Sequence, residues 1–167
     1  MSHNIYSRLV YARTWPFVGR VAYFLLKALG SEIPRSVQIG RNFHLVHGGF
    51  GVVIHPACVI GNNVRIYQGV TLGRGDTYKS AEKSQFKGII VADNVIIGPG
   101  AKVLGTVGFL QIREGTVVGA NAVLRNDTQK DEIWAGVPAR CIGTVSYTHL
   151  DVYKRQLRAP RIRLRGD

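Results

Sequence analysis

Cysteine and acidic residues are both scarce in this chain. Two cysteines in 167 residues, Cys58 and Cys141, make neither a disulfide framework nor a zinc-ligand spacing, so a reducing, cytoplasmic setting is the default reading. Ten acidic residues stand against 22 Lys and Arg. A basic surface of that kind attracts nucleic acid, anionic lipid or phosphorylated cofactors. No zinc finger and no basic motif interleaved with aromatics is present, which argues against a nucleic-acid partner. Long apolar runs are missing too. The longest apolar stretch, Val18 to Leu29, is interrupted by Arg20 and Lys27 and is too short to span a bilayer. The 20 glycines follow no G-X-Y period, which excludes collagen and points to many tight turns. With 46% hydrophobic residues the chain is too apolar to be disordered, and its length fits one domain.

The charge is unevenly spread. From Ser146 onward the sequence SYTHLDVYKRQLRAPRIRLRGD carries six basic and two acidic residues and loses the periodicity that precedes it. The string SYTHLDVYKRQ also resembles a translated sequencing-linker remnant, so residues 146–167 are read as a non-native or disordered tail and set aside. Residues 1–30 read as a helical segment. Tyr6, Leu9, Val10, Phe17, Val21, Phe24, Leu25 and Ala28 recur near helical spacing, Pro16 opens the second of two short helices, and Gly30 is a stop. Arg13, Arg20 and Lys27 lie seven apart on one helix face. Such a face can meet an anionic membrane surface, but a solvated face opposite a packed one is preferred.

The middle of the chain has a period of six. Ile33, Ile39 and Leu45 are so spaced, as are Ile54, Ile60, Ile66 and Leu72, then Val91, Ile97 and Val103, then Ile112, Val118 and Leu124. Small or branched residues stand two before several of these, among them Val37, Cys58, Val64, Val70, Val95, Ala101 and Ala122. Six fits neither an amphipathic helix nor an alternating strand; it is the hexapeptide repeat of a parallel β-helix. Each hexad makes one face of a prism, its aliphatic residue points inward, and three hexads close a coil. Residues 31–145 therefore read as a mainly β domain, a left-handed parallel β-helix of a little over four coils, behind the short N-terminal helical segment.

Three interruptions break the period. Leu45 to Ile54 and Val103 to Ile112 are each nine apart rather than six, with extra residues around His47–Gly51 and Thr106–Leu110. A longer polar loop, GRGDTYKSAEKSQFKG, separates Gly73 from Ile90. In a solenoid, insertions leave one face and usually build the site there.

Taken with the hexad array, the segment IPRSVQIGRNFHLVHGGFGVVIHPACVIGNNVRIYQGVTLGRGD, then VIIGPGAKVLG and AGVPAR, resembles the hexapeptide acyltransferases, in particular the serine acetyltransferase branch. The long helical N-terminal domain of the classical serine enzymes has no counterpart in the roughly 30 residues before the repeat. The resemblance implies acetyl-CoA as co-substrate, a small-molecule hydroxyl acceptor and no metal. It places the general base at His47 and the carboxylate that orients it at Glu32, so that one imidazole nitrogen is held while the other takes the hydroxyl proton. It places main-chain contacts to the pantetheine arm at Gly98, Pro99, Gly119 and Ala120. By residue type alone these are ordinary hexad corners. Arg74, Lys102 and Arg140 are candidates for phosphate or adenine groups. His44, three before His47, and Lys87 in the long loop are candidates for acceptor binding, whereas His55 reads as a corner residue. Grooves between prisms imply a homotrimer with sites shared by two chains.

Two departures bear on the acceptor. Val46 stands where the classical serine enzymes carry an acidic residue, and Lys87-Gly88 stands where they carry Arg-His. Asp76 or Glu82 could replace the missing carboxylate. L-serine is the leading acceptor, a sugar or polysaccharide hydroxyl the alternative, and a non-catalytic β-helical scaffold the reading from another class. A β-helical carbonic anhydrase, with zinc between subunits, needs three converging imidazoles; His44, His47 and His55 have no later partner in the repeat.

Overall fold

A computed structural model of the chain describes residues 5–145; the expected tail at 146–167 lies outside the described residues. Two helices, α1 (Ile5–Ala12) and α2 (Gly19–Ala28), precede the repeat. The first coil contributes β1 (Gln38–Ile39) and β2 (His44–Leu45), the second β3 (Val53–Ile54), β4 (Cys58–Ile60) and β5 (Arg65–Ile66). The third holds β6 (Thr71–Arg74), β7 (Gln85–Val91) and β8 (Ile96–Ile97), and the fourth β9 (Lys102–Gly105), β10 (Val107–Ile112) and β11 (Val117–Val118). Strand β12 (Val123–Leu124) begins a fifth coil, which ends in β13 (Glu132–Gly136) and β14 (Ala139–Thr144).

These strands stack into three parallel sheets, one for each side of a prism. The first face holds β1-β4-β7-β10, the second β2-β5-β8-β11-β13, and the third β3-β6-β9-β12. Glu32 bridges to Val53 at the start of the third face. Strand β14 folds back antiparallel on β13 and closes the second face. Every predicted inward aliphatic is buried to within 2% exposure except Ile39, which is half-buried where Tyr11 of α1 packs over the first coil. The Tyr11 hydroxyl donates to the Gly40 carbonyl at 2.7 Å and accepts the Phe43 amide at 3.0 Å. Each inward Val, Ile or Leu contributes about 1.5–3 kcal/mol by leaving water. Cys58 takes one of these inward places, and burial pushes its thiol up to about 12, so it packs as a small apolar group.

At the corner between the first and second faces, Asn42, Asn63 and Asn94 sit one above another with φ of 56°, 57° and 61°. Their side chains form a ladder, Asn42 to Asn63 at 3.0 Å and Asn63 to Asn94 at 3.1 Å. Asparagine tolerates the left-handed conformation that the corner requires.

The N-terminal segment departs from expectation. Pro16 lies in the connection, and α2 begins three residues later at Gly19. The buried side of the helices is Ser7, Val10, Gly19, Ala22 and Leu26, whereas Phe17, Val21, Phe24 and Leu25 face outward. Nor is Arg13 part of a solvated stripe. It lies beyond α1, 1% exposed, and its guanidinium donates to the carbonyls of Val10, Pro34 and Val37. Burial pulls its pKa down to about 10, which leaves it charged at neutral pH, and the three carbonyls take one N–H from each of its three nitrogens. Among the described residues no helix is long and apolar enough to cross a membrane.

Arg13 thus ties the helices to the first coil. Arg13→Ala leaves three carbonyls short of a donor and is expected to cost about 2–4 kcal/mol. Urea unfolding of both proteins measures this. Arg13→Lys should recover little, since an ammonium lacks the fork geometry.

Candidate active site

His47 sits in a short 3₁₀ turn, Val46–Gly49, that fills the first nine-residue interval. The turn cannot relax easily. His47 is left-handed at φ 52°, and Gly48 and Gly49 follow at 74° and 70°, a sequence of conformations that only glycine adopts without strain. A Cβ on Gly48 would stand 2.8 Å from the ring of Tyr6, so α1 packs directly on the turn. The buried hydroxyl of Ser31 donates to the Gly49 carbonyl at 2.7 Å, and the Gly51 amide donates to Gly30 at 2.7 Å. The imidazole itself is exposed. Its ring lies edge-on to Tyr67 of the next coil, 6.2 Å between centroids at 61°.

Strand register aligns this turn with the later corners. Leu45 pairs with Ile66, Ile66 with Ile97 and Ile97 with Val118, so the residues that follow them form one column at the corner between the second and third faces. Ascending from His47, the column holds Tyr67 and Gln68, then Gly98 and Pro99, then Gly119 and Ala120. Backbone bonds join its steps: Gly69 to the Phe50 carbonyl, Gly100 to that of Gln68, Asn121 to that of Pro99. A Cβ on Gly98 would meet Ala120 N and Val118 O at 2.9 Å, so close coil stacking is enough to demand glycine there. His47 and the four residues expected at the pantetheine arm therefore share one edge of the prism. Tyr67 and Gln68 escaped the sequence reading. Their signal was register: each stands one coil beyond the His47 turn.

Glu32 is placed differently from expectation. Its bridge to Val53 sets it on the third face, beside the end of α2, and its carboxylate takes the Lys27 ammonium at 3.4 Å. Among the described residues its side chain makes no hydrogen bond to His47. His44 lies on the flat second face, its backbone paired with Arg65, while His47 occupies the corner.

The remaining candidates lie elsewhere. Arg74, Lys87 and His55 stand at the corner between the third and first faces, where the long loop leaves. The Asp76 carboxylate is the loop's anchor: fully buried, it accepts the Ser84 hydroxyl at 3.0 Å and faces Arg74 Nε at 3.5 Å and Lys79 Nζ at 3.9 Å. Arg74 also donates to the Lys79 carbonyl at 3.1 Å. Asp76 and Arg74 are thereby committed to the loop, whose other acid is the exposed Glu82. Hydrogen bonds from its own backbone and Ser80 hold the Glu82 carboxyl below its ordinary value. Gly88 offers no room for a side chain, because a Cβ would stand 2.2 Å from the Ala57 carbonyl. The missing imidazole is therefore excluded by coil packing. His55 is a corner residue: Nδ1 accepts the Ala57 amide at 3.1 Å, its ring packs edge-on against Phe86, and burial, then nearby Arg74, lowers its pKa.

Lys102 donates to the Gly69 carbonyl and to Thr71 Oγ1, and Arg140 is exposed on the closing hairpin. The insertion at Thr106–Leu110 does not loop out, although its pairing shifts register between Gly108 and Phe109. It extends β10, and Val107 and Gly108 pair with Gln85 and Phe86 of the loop's returning strand. Among the described residues no three His, Cys, Asp or Glu gather as metal ligands.

No model of a known protein family matches the chain. Individual proteins do. The serine acetyltransferase of Bacillus subtilis (strain 168) is 36% identical over 144 residues, 85% of this chain and 59% of that protein. The serine acetyltransferase of Staphylococcus xylosus is 37% identical over 142 residues, 85% of this chain and 60% of its own length. The chain thus spans about three fifths of these relatives. The crystal structure of serine acetyltransferase from Brucella abortus strain S19 in complex with coenzyme A matches with a TM-score of 0.68 and 26% identity, over 83% of this chain and 55% of that one. The Neisseria gonorrhoeae enzyme in complex with serine matches at 0.64 and 27%, over 81% and 54%. The prism shares the left-handed β-helix of those structures.

Asp76→Ala should release the loop without touching the core, since its partners are Ser84 and Lys79 within the loop and Arg74 at its root. Limited proteolysis is expected to cut between 75 and 84 in the variant at least about tenfold faster than in the wild type, with an unfolding midpoint shifted far less.

Proposed function

We propose that this homologue of the serine acetyltransferases is an acetyl-CoA-dependent O-acetyltransferase of small hydroxyl compounds, with L-serine the leading acceptor and His47 the general base. One observation carries the reading. An exposed imidazole, held on a turn that cannot relax, heads a column of glycine-lined corners where an extended thioester can lie against backbone. An alcohol is a poor nucleophile at neutral pH, so its proton must leave as it attacks. His47 takes that proton while the hydroxyl oxygen bonds to the thioester carbonyl carbon. The tetrahedral intermediate then expels the sulfur, and the imidazolium returns the proton to the thiolate. The products are an O-acetyl ester and coenzyme A.

Gly98, Pro99, Gly119 and Ala120 hold the pantetheine arm in this reading, and Arg140 serves its charged end; Arg74, at another corner and held by the loop anchor, serves such a site only from a neighbouring chain. Glu32 is a positioning residue for His47, which requires its carboxylate to leave Lys27. His44 and Lys87 belong to the acceptor. Lys87 and His47 occupy different corners of one prism, so a site that uses both draws them from two chains, and the assembly is a homotrimer.

A specific pair of observations favours a second acceptor. Gly88 has no space for an imidazole, and Asp76 is buried in the loop anchor. A zwitterionic amino acid finds fewer ligands here than a neutral sugar hydroxyl, which His47 can deprotonate in the same way.

His47→Ala should retain the wild-type unfolding midpoint and lose at least about a thousandfold in turnover, read as free-thiol release from acetyl-CoA. Undiminished turnover would remove His47 from the mechanism, and absence of thiol release by the wild type with any acceptor would leave the scaffold reading. With L-serine and a panel of neutral sugars offered side by side, release with serine supports the leading acceptor and release with sugars alone replaces it.

The shared site has its own test. His47→Ala and Lys87→Ala are each expected to be inactive or weak alone. Unfolded together and reassembled in equal amounts, they should recover about a quarter of wild-type activity, the fraction of sites that pair an intact His47 with an intact Lys87. No recovery would place both residues in one chain's site.

A further inference from the structure

Helix α2 is apolar on two sides, and the fold uses one. Gly19, Ala22 and Leu26 are buried toward the rest of the protein. Val18, Val21, Leu25 and Leu29 recur at three and four residues about a quarter-turn round the helix from that side and are 46%, 61%, 46% and 41% exposed. Phe24 widens this stripe, and the preceding turn adds Trp15 and Phe17, the latter 94% exposed. Exposed apolar residues scattered singly need no explanation, but a contiguous patch of this kind marks a surface that meets something.

The charge around the patch has one sign. The first acidic residue of the chain is Glu32, and the 31 residues before it carry Arg8, Arg13, Arg20 and Lys27. Arg13 is consumed inside the fold and Lys27 lies against Glu32, but Arg8 and Arg20 are exposed with no acid in the segment to meet them. At about 100° per residue, Arg20 and Lys27 run along the edge of the apolar stripe next to Phe24. An apolar stripe bordered by cations, with aromatic residues at the tip of the adjoining turn, has the make-up of a helix that lies in a lipid interface.

We propose that α2 and the turn before it form a docking surface for an anionic lipid bilayer. Trp15, Phe17, Phe24 and the outer stripe of α2 enter the interface, while Arg8 and Arg20 meet lipid phosphate or carboxylate groups. A second copy of the chain is the poorer occupant. Pairing this face with itself brings cations against cations, with no carboxylate in the segment to offset them. The surface also continues toward the candidate active site. Phe50, 69% exposed, packs on Gly30 just beyond α2 and stands three residues from His47, so docking sets the His47 turn on the membrane side.

Co-sedimentation of the full chain with vesicles tests this directly. Vesicles containing about 30% phosphatidylglycerol in phosphatidylcholine should pellet the protein, pure phosphatidylcholine vesicles should pellet much less, and added salt should release it. The double variant Phe17→Ser with Phe24→Ser should weaken partitioning at least about tenfold. Arg20→Glu, which alters no apolar contact, should weaken it on anionic vesicles alone. Both changes are on the surface, so unfolding midpoints report whether either variant is damaged. Absence of pelleting with anionic vesicles overturns the proposal, as does wild-type pelleting of the double variant. A fall in sedimentation coefficient for the vesicle-free double variant would assign the face to a second copy and overturn it as well.

Discussion

Everything in this molecule depends on coils stacking in register. A single hexad face is two or three residues of strand and cannot bury its inward side chain alone; it is covered only when the coils above and below present theirs. That requirement forces Ile54, Ile60 and Ile66 to point inward beneath Leu72, Val91 and Ile97. It also forces the corners into columns. A column of corners is a groove of constant shape with backbone exposed along it, and an extended ligand can use it wherever the corner residues are small. The core and the candidate site are two consequences of one stacking rule.

The same rule decides what could be read from the sequence. The hexad spacing was legible because inward positions tolerate only apolar residues, and three interruptions stood out against it. The role of the interruptions was less legible, because an insertion changes register. Glu32 lies fifteen residues before His47, which suggests adjacency in a coil of eighteen. The first coil holds 21 residues from Glu32 to its partner Val53, and the three extra ones carry His47 out to the corner. Glu32 is left on the flat face, where Lys27 reaches it. The insertion at Thr106–Leu110 misled in a similar way, since pairing with the loop's returning strand depends on two insertions meeting, which neither shows alone.

The helices were harder for a different reason. Periodicity locates an apolar face but cannot rank two of them, and α2 has two. Small residues decide the matter: Gly19 sits where a Cβ would come within 2.3 Å of the Arg13 carbonyl, so close approach selects the Gly19, Ala22, Leu26 side although the outer side is bulkier. Arg13 was misassigned because charge usually means exposure. Here a fork of donors meets three carbonyls where the chain passes from α1 into the first coil, a task to which guanidinium is suited and ammonium is not.

The helical segment is more than an appendage to the repeat. Tyr6 covers Gly48, Ser31 holds the Gly49 carbonyl, and Gly30 accepts the Gly51 amide. Three contacts from residues before the first strand therefore set the left-handed turn on which His47 stands. A histidine held at φ 52° has a position determined by its neighbours more than by its own preference, and those neighbours belong to the segment whose other side is apolar and basic. Any force that moves α1 and α2 acts on the turn of His47 through Tyr6. The β-helix supplies the groove and the helices supply the orientation of the group that would work in it.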